Sequence, residues 1–535
     1  MRAPLHALRY PALILLASAG ATWASAAPAA TPASAAGEAR ACEKLSGAAI
    51  PGGRIRRAAL VTPPFVASWE GNSVKENVAV PFCRLEGEAA STPGSDIRFE
   101  VWLPTGRHWN GRLLGVGAGN SLGAINRPDL ALGVNRGFAA VATDNGHHGY
   151  KATDSAWALG HPERIEDFGY RAHHLATQAA KQLVQRFYGK PQRFAYYFGC
   201  SQGGVKGLMA AQRFPNDYNG ILAGAPVYSW PAEMTLEAWN YRALTDHPGA
   251  AISEPQMLAL YAASVKQCGG PDGLIGDPRL CQFDPAVLQC PADENCLSPV
   301  QVEAVRKMYA GPHTSSGMPL NHGLTPGSES RWEGLWDLVQ PDPTRSGSWL
   351  GVYRYMVFED PQWNPVSLNF DTDPASARRK LGPILDPDSP DLSEFRKRGG
   401  KLLVYHGWAD QMVPAESSTD YYAAVVARLG QKSVDQFFRL FMLPGMAHCA
   451  GGPGAAEILR STQTRSVPLQ PDHDVLVALV HWVEHGDAPA RLIAIKTDDA
   501  EHLLRTRLVC AEPQVTRYRG SGDPLDAASW ECVAR

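Results

Sequence analysis

The pentapeptide GCSQG at 199–203 constrains the fold more than any other part of the chain. It follows the apolar run 193–198, which is typical of a buried strand, and it opens segment 203–214, which has a helical pattern. A tight strand-to-helix turn pushes a serine hydroxyl out at the edge of a sheet, and small residues on either side let the backbone bend. The start of the helix adds partial positive charge and free N–H groups. Because the pentapeptide also occurs in ordinary Gly/Ser turns, its placement is what favours Ser201 as a nucleophile.

The segments around this turn alternate between strand and helix patterns. Short apolar runs that end in polar or Gly-rich loops are typical of buried parallel strands, and apolar residues at three- and four-residue steps indicate amphipathic helices. The predicted strands are 96–104, 112–117, 138–144, 193–198, 401–407 and 437–445, and the predicted helices are 166–187, 203–214, 417–429 and 472–485. This rhythm predicts an α/β architecture with a mostly parallel sheet covered by helices.

The length of 535 residues predicts a main domain with at least one large insertion. Between 227 and 395 the alternation stops, and the chain becomes rich in Pro, Gly, Trp and Asp and carries four cysteines. We interpret this stretch as an inserted lid domain. The main core is then expected in two parts, at 27–226 and 396–535.

Residues 1–26 have the layout of a secretory signal peptide. Arg2 and Arg9 precede the apolar stretch 10–21, and small residues follow at 24–26. An uncleaved membrane anchor is the alternative, but the apolar run is short for a bilayer, which favours cleavage near Ala26. We therefore expect a secreted or periplasmic protein.

Charge and hydropathy exclude two classes of partner. The formal net charge is only −3 and no basic run stands out, so we expect no nucleic-acid binding. No second apolar run is long enough for a transmembrane helix, so we expect no membrane partner. A small uncharged or weakly charged substrate fits this balance.

Partners for Ser201 follow in the chain order Ser, Asp, His that α/β-hydrolases use. Asp410 comes just past the predicted strand 401–407, and His448 lies on the loop after 437–445. A serine nucleophile needs a base to accept its proton, and the base needs a carboxylate that fixes its tautomer. The sequence therefore predicts a Ser201–His448–Asp410 triad on an α/β-hydrolase core with a large inserted lid domain.

Two residues compete for these roles. His406, at the end of strand 401–407, is the main rival base, although its position also suits a hydrogen bond to a loop. Asp144 ends another predicted strand and is the main rival carboxylate, for which we prefer a loop-capping role. Four further histidines precede Ser201 and therefore do not fit the chain order Ser, Asp, His: His147, His148, His173 and His174.

Attack by Ser201 creates an oxyanion that needs fixed hydrogen-bond donors. The geometry of the turn predicts the N–H of Gln202 as one donor. The Gly-rich loop 115–120 follows a predicted strand and would supply the second donor, with Gly119 preferred over Asn120. Such a loop is also compatible with a plain turn, or with a phosphate cradle that lacks the Lys-Ser/Thr ending.

Export changes how the ten cysteines are interpreted. An even number in an oxidising compartment indicates disulfides, and the absence of any CxxC pair argues against metal clusters. Proximity along the chain favours three pairs: Cys268–Cys281, Cys290–Cys296 and Cys510–Cys532.

The remaining four cysteines include two neighbours of the predicted triad. Cys200 precedes Ser201 and Cys449 follows His448, so a Cys200–Cys449 bridge would tie nucleophile and base together. Cys42–Cys83 would then pair by elimination. The alternative is Cys200 as a thiol nucleophile, which a disulfide would exclude.

Several motifs together resemble the tannase/feruloyl esterase family, which includes the enzyme that hydrolyses mono(2-hydroxyethyl) terephthalate. They are GCSQGG at 199–204, AQRFPNDYNGILAGAP at 211–226, RGGKLLVYHGWAD at 398–410 and PGMAHCAGGPG at 444–454. The resemblance covers most of the chain after the signal peptide. It implies hydrolysis of aromatic, often phenolic, carboxylic esters (feruloyl, galloyl or terephthalate-type) through an acyl-enzyme, with a lid that closes over the acyl group.

The chain departs from this family at one point. The resemblance implies a calcium ion in an Asp-rich lid loop bounded by a disulfide, which here is the shortened loop 268–281. Only Asp272 and the carbonyl of Leu274 match ligand positions, whereas calcium prefers six to eight oxygens. The site is either completed elsewhere or lost, and we favour loss. We therefore expect that no cofactor is required and that calcium binding is doubtful.

The residues predict a secreted serine carboxylic-ester hydrolase with a small aromatic ester as its substrate. A serine peptidase or another acyl hydrolase would use the same triad. A non-catalytic, disulfide-stapled binding protein on a hydrolase scaffold is the alternative from a different class. The set Ser201, Asp410 and His448 argues against that second alternative.

Overall fold

The computed structural model describes residues 32–70, 74–151, 153–290, 295–335, 341–342, 345–459 and 467–535. The predicted signal peptide at 1–26 lies outside these residues. Within them, no helix combines the length and the apolar character needed to cross a bilayer.

Eighteen strands are present in the described ranges. They are β1 Ala49–Ile50, β2 Gly53–Val61, β3 Phe65–Ser68, β4 Lys75–Val78, β5 Phe82–Ala89, β6 Ile97–Pro104, β7 Arg112–Val116, β8 Ala139–Thr143, β9 Phe194–Cys200, β10 Gly220–Gly224, β11 Pro341–Asp342, β12 Arg345–Ser346, β13 Lys401–Gly407, β14 Phe438–Leu443, β15 Arg491–Thr497, β16 Leu503–Cys510, β17 Gln514–Tyr518 and β18 Trp530–Ala534. Ten of them form one central sheet, in the order β1-β2-β5-β6-β8-β7-β9-β10-β13-β14.

The central sheet is parallel in one half and antiparallel in the other. The five pairings from β8 to β14 are parallel, and the four from β1 to β8 are antiparallel. The mostly parallel sheet predicted from residue 96 onward is found between β8 and β14, whereas β6 pairs antiparallel and the strands before it were not predicted. The reason lies in strands such as β2, where Arg54, Arg56 and Arg57 are exposed, because antiparallel strands can leave one face in water.

Helices cover the faces of the sheet. They are α1 Pro32–Glu43, α2 Arg127–Asn135, α3 Pro162–Glu166, α4 Ala172–Tyr188, α5 Gln202–Arg213, α6 Trp230–Thr245, α7 Glu254–Cys268, α8 Pro299–Ala310, α9 Ser348–Gly351, α10 Asp373–Leu385, α11 Ser393–Lys397, α12 Glu416–Leu429, α13 Gln431–Val434 and α14 Val475–His485. The predicted helix 166–187 begins earlier than expected, because α3 runs into α4 through a π-helical turn at Asp167–Arg171. The predicted helix 472–485 begins later, because the side chain of Asp474 accepts the N–H of Val477 and caps α14.

Two apolar layers hold the sheet against the helices. Successive side chains of a strand point to opposite faces, and β9 illustrates the division. Tyr197 packs in one layer with Leu183 of α4, whereas Tyr196 packs in the other with Leu479 of α14. Fully burying such a side chain contributes about 1.5–3 kcal/mol, so both layers fix the strand ends that carry the candidate site.

The chain between β10 and β13 adds no strand to the central sheet within its described part. It contains α6 to α11, and the predicted lid domain at 227–395 falls in this interval. After α14 the chain forms two antiparallel pairs, β15 with β16 and β17 with β18. The Cys510–Cys532 disulfide joins these pairs.

Candidate active site

Ser201 lies in a strained turn between β9 and α5. Its φ is 60° and its ψ is −126°, in a region that side chains rarely adopt. The Ser201 N–H donates to the carbonyl oxygen of Gly224 at 2.9 Å. Two glycines make the turn possible, because a Cβ on Gly199 would lie 2.5 Å from the carbonyl carbon of Gly203, and a Cβ on Gly204 would lie 2.8 Å from the oxygen of Gly224. The motif is therefore required by close backbone packing.

Two backbone N–H groups near this turn have no protein acceptor. Among the described residues, neither the N–H of Gln202 nor that of Gly119 donates a hydrogen bond. The loop that carries Gly119 packs against the start of α5, since a Cβ on Gly117 would lie 2.7 Å from the Cα of Gly203. A Cβ on Gly119 would meet nothing within 4 Å. Both N–H groups are therefore available as hydrogen-bond donors.

Asp410 and His448 meet from loops that follow neighbouring parallel strands. β13 and β14 pair in register up to Gly407 and Leu443, so the two loops begin side by side. Oδ2 of Asp410 lies 2.8 Å from Nδ1 of His448, and Asp410 is 1% exposed. A carboxylate at this nitrogen holds a proton on Nδ1 and leaves Nε2 free to act as a base.

The carboxylate of Asp410 is held by several donors. Its Oδ1 accepts the backbone N–H groups of Met412 at 2.8 Å and Val413 at 2.9 Å. Burial opposes ionisation, but the charge on His448 and hydrogen bonds from His406 and His448 hold the pKa of Asp410 below its ordinary value. Asp410 is therefore ionised and can stabilise a positive imidazole.

His406, the rival base, is a second partner of this carboxylate. Its Nε2 lies 3.1 Å from Oδ2 of Asp410 and 3.2 Å from the carbonyl oxygen of Val413. Both oxygens are acceptors, so Nε2 carries the proton. Its Nδ1 lies 2.7 Å from Oγ of Ser418. A donor at Nε2 supports Asp410 and cannot receive a proton there. The sequence signal for this contact was a histidine four residues before Asp410, at the end of the same strand.

The loop that carries His448 is fixed by two further contacts. Oε1 of Gln411 accepts the backbone N–H of His448 at 3.1 Å, a contact that the sequence reasoning missed although Gln411 follows Asp410 directly. The Cys200–Cys449 disulfide joins the loops of Ser201 and His448, with a Cα–Cα distance of 5.9 Å. The bridge therefore ties the turn of Ser201 to the loop of His448.

All ten cysteines are paired, and no cysteine in the described ranges is free. The other four pairs are Cys42–Cys83, Cys268–Cys281, Cys290–Cys296 and Cys510–Cys532. Cys200 therefore has no thiol with which to attack a substrate.

Asp144, the rival carboxylate, binds backbone. Its Oδ1 accepts the N–H of Arg98 and that of Gly146, each at 3.0 Å. Burial raises the pKa of Asp144 well above its ordinary value, although these two hydrogen bonds oppose the shift. Three of the early histidines have their own partners: His148 with Tyr150, His173 with Asn145 and His174 with Asp217.

In the loop 268–281, a cation already lies beside Asp272. Oδ2 of Asp272 lies 3.3 Å from Nη1 of Arg507, and both residues are buried. The carbonyl oxygen of Leu274 accepts the N–H of Gly270 at 2.8 Å. Calcium needs six to eight oxygens, and here one candidate ligand faces a guanidinium while the other is hydrogen-bonded. These residues do not fit a calcium ion. Across the described ranges, no three His, Cys, Asp or Glu side chains are grouped to hold a metal.

Polar contacts join the loop of Gly119 to helix α6. Nδ2 of Asn120 donates to Oγ of Ser348 at 3.2 Å, and the N–H of the next residue, Trp349, donates to Oε2 of Glu237 at 3.1 Å. Burial raises the pKa of Glu237 to about 8, although the bond from Trp349 opposes the shift. The predicted lid therefore contacts the Gly-rich loop through the neutral hydroxyl of Ser348, and the neighbouring Trp349 is anchored on Glu237 of α6.

Comparison with known proteins identifies relatives along nearly the whole chain. The "Tannase and feruloyl esterase" family profile matches residues 83–533. An uncharacterized esterase of Xanthomonas campestris is 34% identical over 92% of this chain and 91% of its own length. The probable feruloyl esterase B-2 of Aspergillus terreus is 34% identical over 86% of this chain and 88% of its own.

Solved structures give the same result. The crystal structure of feruloyl esterase B from Aspergillus oryzae has a TM-score of 0.82 and 30% sequence identity, and it covers 93% of this chain and 100% of its own. The sheet with its helices is consistent with the α/β-hydrolase fold of these proteins. The chain therefore belongs to the tannase and feruloyl esterase family and is a carboxylic ester hydrolase.

Proposed function

We propose that this enzyme hydrolyses aromatic carboxylic esters, with feruloyl-type esters preferred, through an acyl-enzyme on Ser201. The observation that carries the proposal is the hydrogen bond between Asp410 and His448, on loops tied to the turn of Ser201 by the Cys200–Cys449 bridge. Support for the feruloyl class comes from the relatives named for that activity.

In the proposed reaction, Oγ of Ser201 attacks the ester carbonyl carbon while its proton passes to Nε2 of His448. The carbonyl oxygen becomes negative and accepts the N–H groups of Gly119 and Gln202. Asp410 stabilises the imidazolium that has formed. The C–O bond to the alcohol then breaks, the alcohol takes the proton from His448, and the acyl group remains on Ser201 as an ester.

Water completes the cycle in the same manner. It gives a proton to Nε2 of His448 and attacks the acyl carbon, and the second oxyanion is held by the same two N–H groups. Collapse releases the carboxylic acid and returns the proton to Oγ of Ser201. No step needs a metal ion, and we propose that none is required, because the Asp272 carboxylate faces Arg507.

We propose further that the enzyme acts outside the cytoplasm, as a secreted or periplasmic protein. Five disulfides favour an oxidising compartment. The pattern at 1–26 is typical of a signal peptide that directs secretion. Periplasmic and culture-medium fractions, assayed for a tagged full-length chain, test this; a chain that stays in the cytosol with its leader uncut would contradict it.

Rates on methyl ferulate, methyl gallate and mono(2-hydroxyethyl) terephthalate test the substrate class. We expect the highest kcat/KM on methyl ferulate. A higher value on either of the other esters would replace the acyl group in the proposal and leave the reaction unchanged. Cleavage of peptides in preference to all three esters would overturn the proposal.

The role of Ser201 is tested separately with a fluorophosphonate probe. We expect the probe to label wild type and not Ser201→Ala. We also expect Ser201→Ala and His448→Ala each to lose at least roughly a thousandfold in kcat, because triad members act as a unit. Substantial turnover by Ser201→Ala with a wild-type circular dichroism spectrum would contradict Ser201 as the nucleophile. A wild type that neither labels nor turns over would point to a binding protein.

A further inference from the structure

Lys206 is a buried lysine one helical turn after Gln202. It lies on α5, is 2% exposed, and its Nζ lies 3.4 Å from Oε1 of Gln202. The same ammonium lies 4.0 Å from the centroid of the Phe168 ring. Among the described residues, no carboxylate comes within ion-pair distance of Lys206. The proposed mechanism does not use this residue.

The other groups that face Lys206 are neutral or positive. His147, from the loop after β8, and His173, on α4, both feel its charge. Burial, followed by the charge of Lys206, lowers the pKa of each histidine to about 3, so both rings are neutral. Arg164 also acts on His147. The ring of His147 stacks on Trp157 at 4.0 Å, and neither of its nitrogens has a partner.

Stability does not account for a lysine at this position. Burying an ammonium without a counter-ion is unfavourable, and the first turns of a helix carry partial positive charge that repels a cation. An aromatic face compensates only in part. An apolar residue of similar length would fill the same volume against Phe168 without these penalties. Groups held at such a cost are concentrated at functional sites.

The position of Lys206 suits a role in the first step of the proposed reaction. Gln202 directly follows Ser201, and its N–H is one of the two donors proposed for the oxyanion. Lys206 contacts the Gln202 side chain from within the protein, on the side away from solvent. A cation in this low-dielectric surrounding stabilises negative charge that develops on the substrate.

We propose that Lys206 is a positioning residue of the oxyanion hole, which fixes Gln202 at the start of α5 and places a positive charge behind it. This inference rests on the proposed function, because it needs Ser201 as the nucleophile and Gln202 as a donor. It assigns to Lys206 the stabilisation of the transition state and not the binding of the ester.

The proposal has a consequence for pH. Burial lowers the pKa of Lys206 to about 7. The ammonium is therefore present below pH 7 and is lost as the pH rises above it, so its contribution to kcat falls on the alkaline side. If Lys206 only packed against Phe168, substituting it would leave the shape of the pH profile unchanged.

The test compares kcat/KM on methyl ferulate from pH 5.5 to 9.5 for wild type, Lys206→Met and Lys206→Arg, with the rate of Ser201→Ala subtracted at each pH. We expect Lys206→Met to be about tenfold or more slower than wild type at pH 6, with the two rates converging above pH 8. We expect the change in kcat, with KM nearly constant. Lys206→Arg keeps its charge and should show a smaller alkaline decline than wild type.

Lys206→Met retains the stem of the side chain and is the variant that decides the question. Fluorophosphonate labelling of Ser201 and the melting temperature show whether each variant is folded. A ratio of wild type to Lys206→Met that is the same at every pH would overturn the proposal, since it would indicate packing alone. If Ser201→Ala keeps its activity, the proposed function fails. If Ser201 labels and the profiles of wild type and Lys206→Met coincide, only the inference on Lys206 fails.

Discussion

His406 and His448 approach the same oxygen of one carboxylate. Oδ2 of Asp410 lies 2.8 Å from Nδ1 of His448 and 3.1 Å from Nε2 of His406. Because His406 also contacts the carbonyl oxygen of Val413 and the hydroxyl of Ser418, its ring is fixed on both nitrogens. His406 thus orients Asp410, which in turn orients His448.

We expect His406→Ala to lower kcat by roughly ten- to a hundredfold, because a hydrogen bond to a charged group contributes about 1.5–3 kcal/mol. His448→Ala should lose far more, since it removes the proposed base. Steady-state kinetics on one ester compare the two. His174→Ala is the matched control, because His174, on α4, also pairs with a carboxylate, but that carboxylate is Asp217 and not Asp410. Equal losses in His406→Ala and His448→Ala would contradict the assignment of base and support.

The Cys200–Cys449 bridge should matter more for turnover than for folding. It closes a loop over a sequence separation of 249 residues, for which loop entropy gives roughly 5 kcal/mol as an upper guide. Four other disulfides and both apolar layers remain in Cys200→Ala/Cys449→Ala, so we expect a folded protein. Its kcat should fall much further than its KM rises, because small displacements between reacting groups reduce rate steeply.

Kinetics and melting curves of this double variant provide the measurement. Cys510→Ala/Cys532→Ala is the control, since it removes a bridge between β16 and β18. Alkylation of non-reduced wild type gives a direct check. Fully active enzyme with an alkylatable Cys200 would be incompatible with the bridge.

Calcium and chelators should leave the wild-type enzyme unchanged. The guanidinium of Arg507 faces Asp272 and stacks over the Trp530 ring at 3.2 Å, so the buried carboxylate already has a counter-charge. We expect the melting temperature and kcat to be the same in EDTA and in millimolar calcium chloride. One tightly bound calcium per chain in elemental analysis would show the reverse.

Removal of Arg507 should destabilise the protein. Arg507→Leu leaves Asp272 buried without its partner, and breaking such a pair costs about 3–5 kcal/mol. We expect a lower melting temperature for Arg507→Leu and partial recovery in Asp272→Asn/Arg507→Leu. Arg517→Leu is the control, because it removes an exposed arginine that also pairs with a carboxylate. If the double variant melts at the same temperature as Arg507→Leu, the loss of stability comes from lost packing on Trp530 and not from the unpaired Asp272.

Glu237 should make the fold less stable as pH rises. Burial raises its pKa to about 8, so the folded chain keeps a proton that the unfolded chain loses above its ordinary pKa of 4.5. Stability is therefore unaffected below about pH 4.5, falls as the pH rises to about 8, and then levels off. Glu237→Gln removes this dependence and should raise the free energy of unfolding at pH 8 by roughly 1–4 kcal/mol.

Urea unfolding at pH 5 and pH 8 measures this difference. The gain from Glu237→Gln should be larger at pH 8 than at pH 5. Glu254→Gln, at an exposed position in the first turn of α7, should show no such widening. A gain of equal size at both pH values would count against a buried, protonated Glu237.

The parallel half of the sheet could be predicted because its strands are continuous apolar runs. β8, for example, is buried along its whole length and matches the predicted strand 138–144. β10 is equally buried but was not among the predicted strands, because its apolar run at 221–223 is only three residues long and lies between glycines. The antiparallel strands before residue 96 could not be predicted in the same way. In β2, Ile55 is the single buried residue, exposed arginines lie on both sides of it, and a register shift falls between Ile55 and Arg57. The strand therefore lacks the two-residue period.

Some residues of the candidate site could be predicted from the sequence and others could not. Ser201, Asp410 and His448 could be proposed because each follows a recognisable strand. Arg507 could not be linked to Asp272, because the two residues are far apart in the sequence and meet only through the folding of the C-terminal strands. The contact between Lys206 and Gln202 follows from their spacing of four residues on α5. The position of Lys206 over the Phe168 ring could not be predicted, because it depends on how α5 packs against the turn 167–171.

The Cys200–Cys449 disulfide also changes what a cut in the chain would do. Every peptide bond between these two cysteines, including all of 227–395, lies inside one covalent ring. A protease that nicks the chain there opens the ring without separating its ends. The nicked protein would migrate as one band on a gel without reductant and as two bands with it. Maturation or damage by proteolysis in this interval would thus leave the loops of Ser201 and His448 covalently joined.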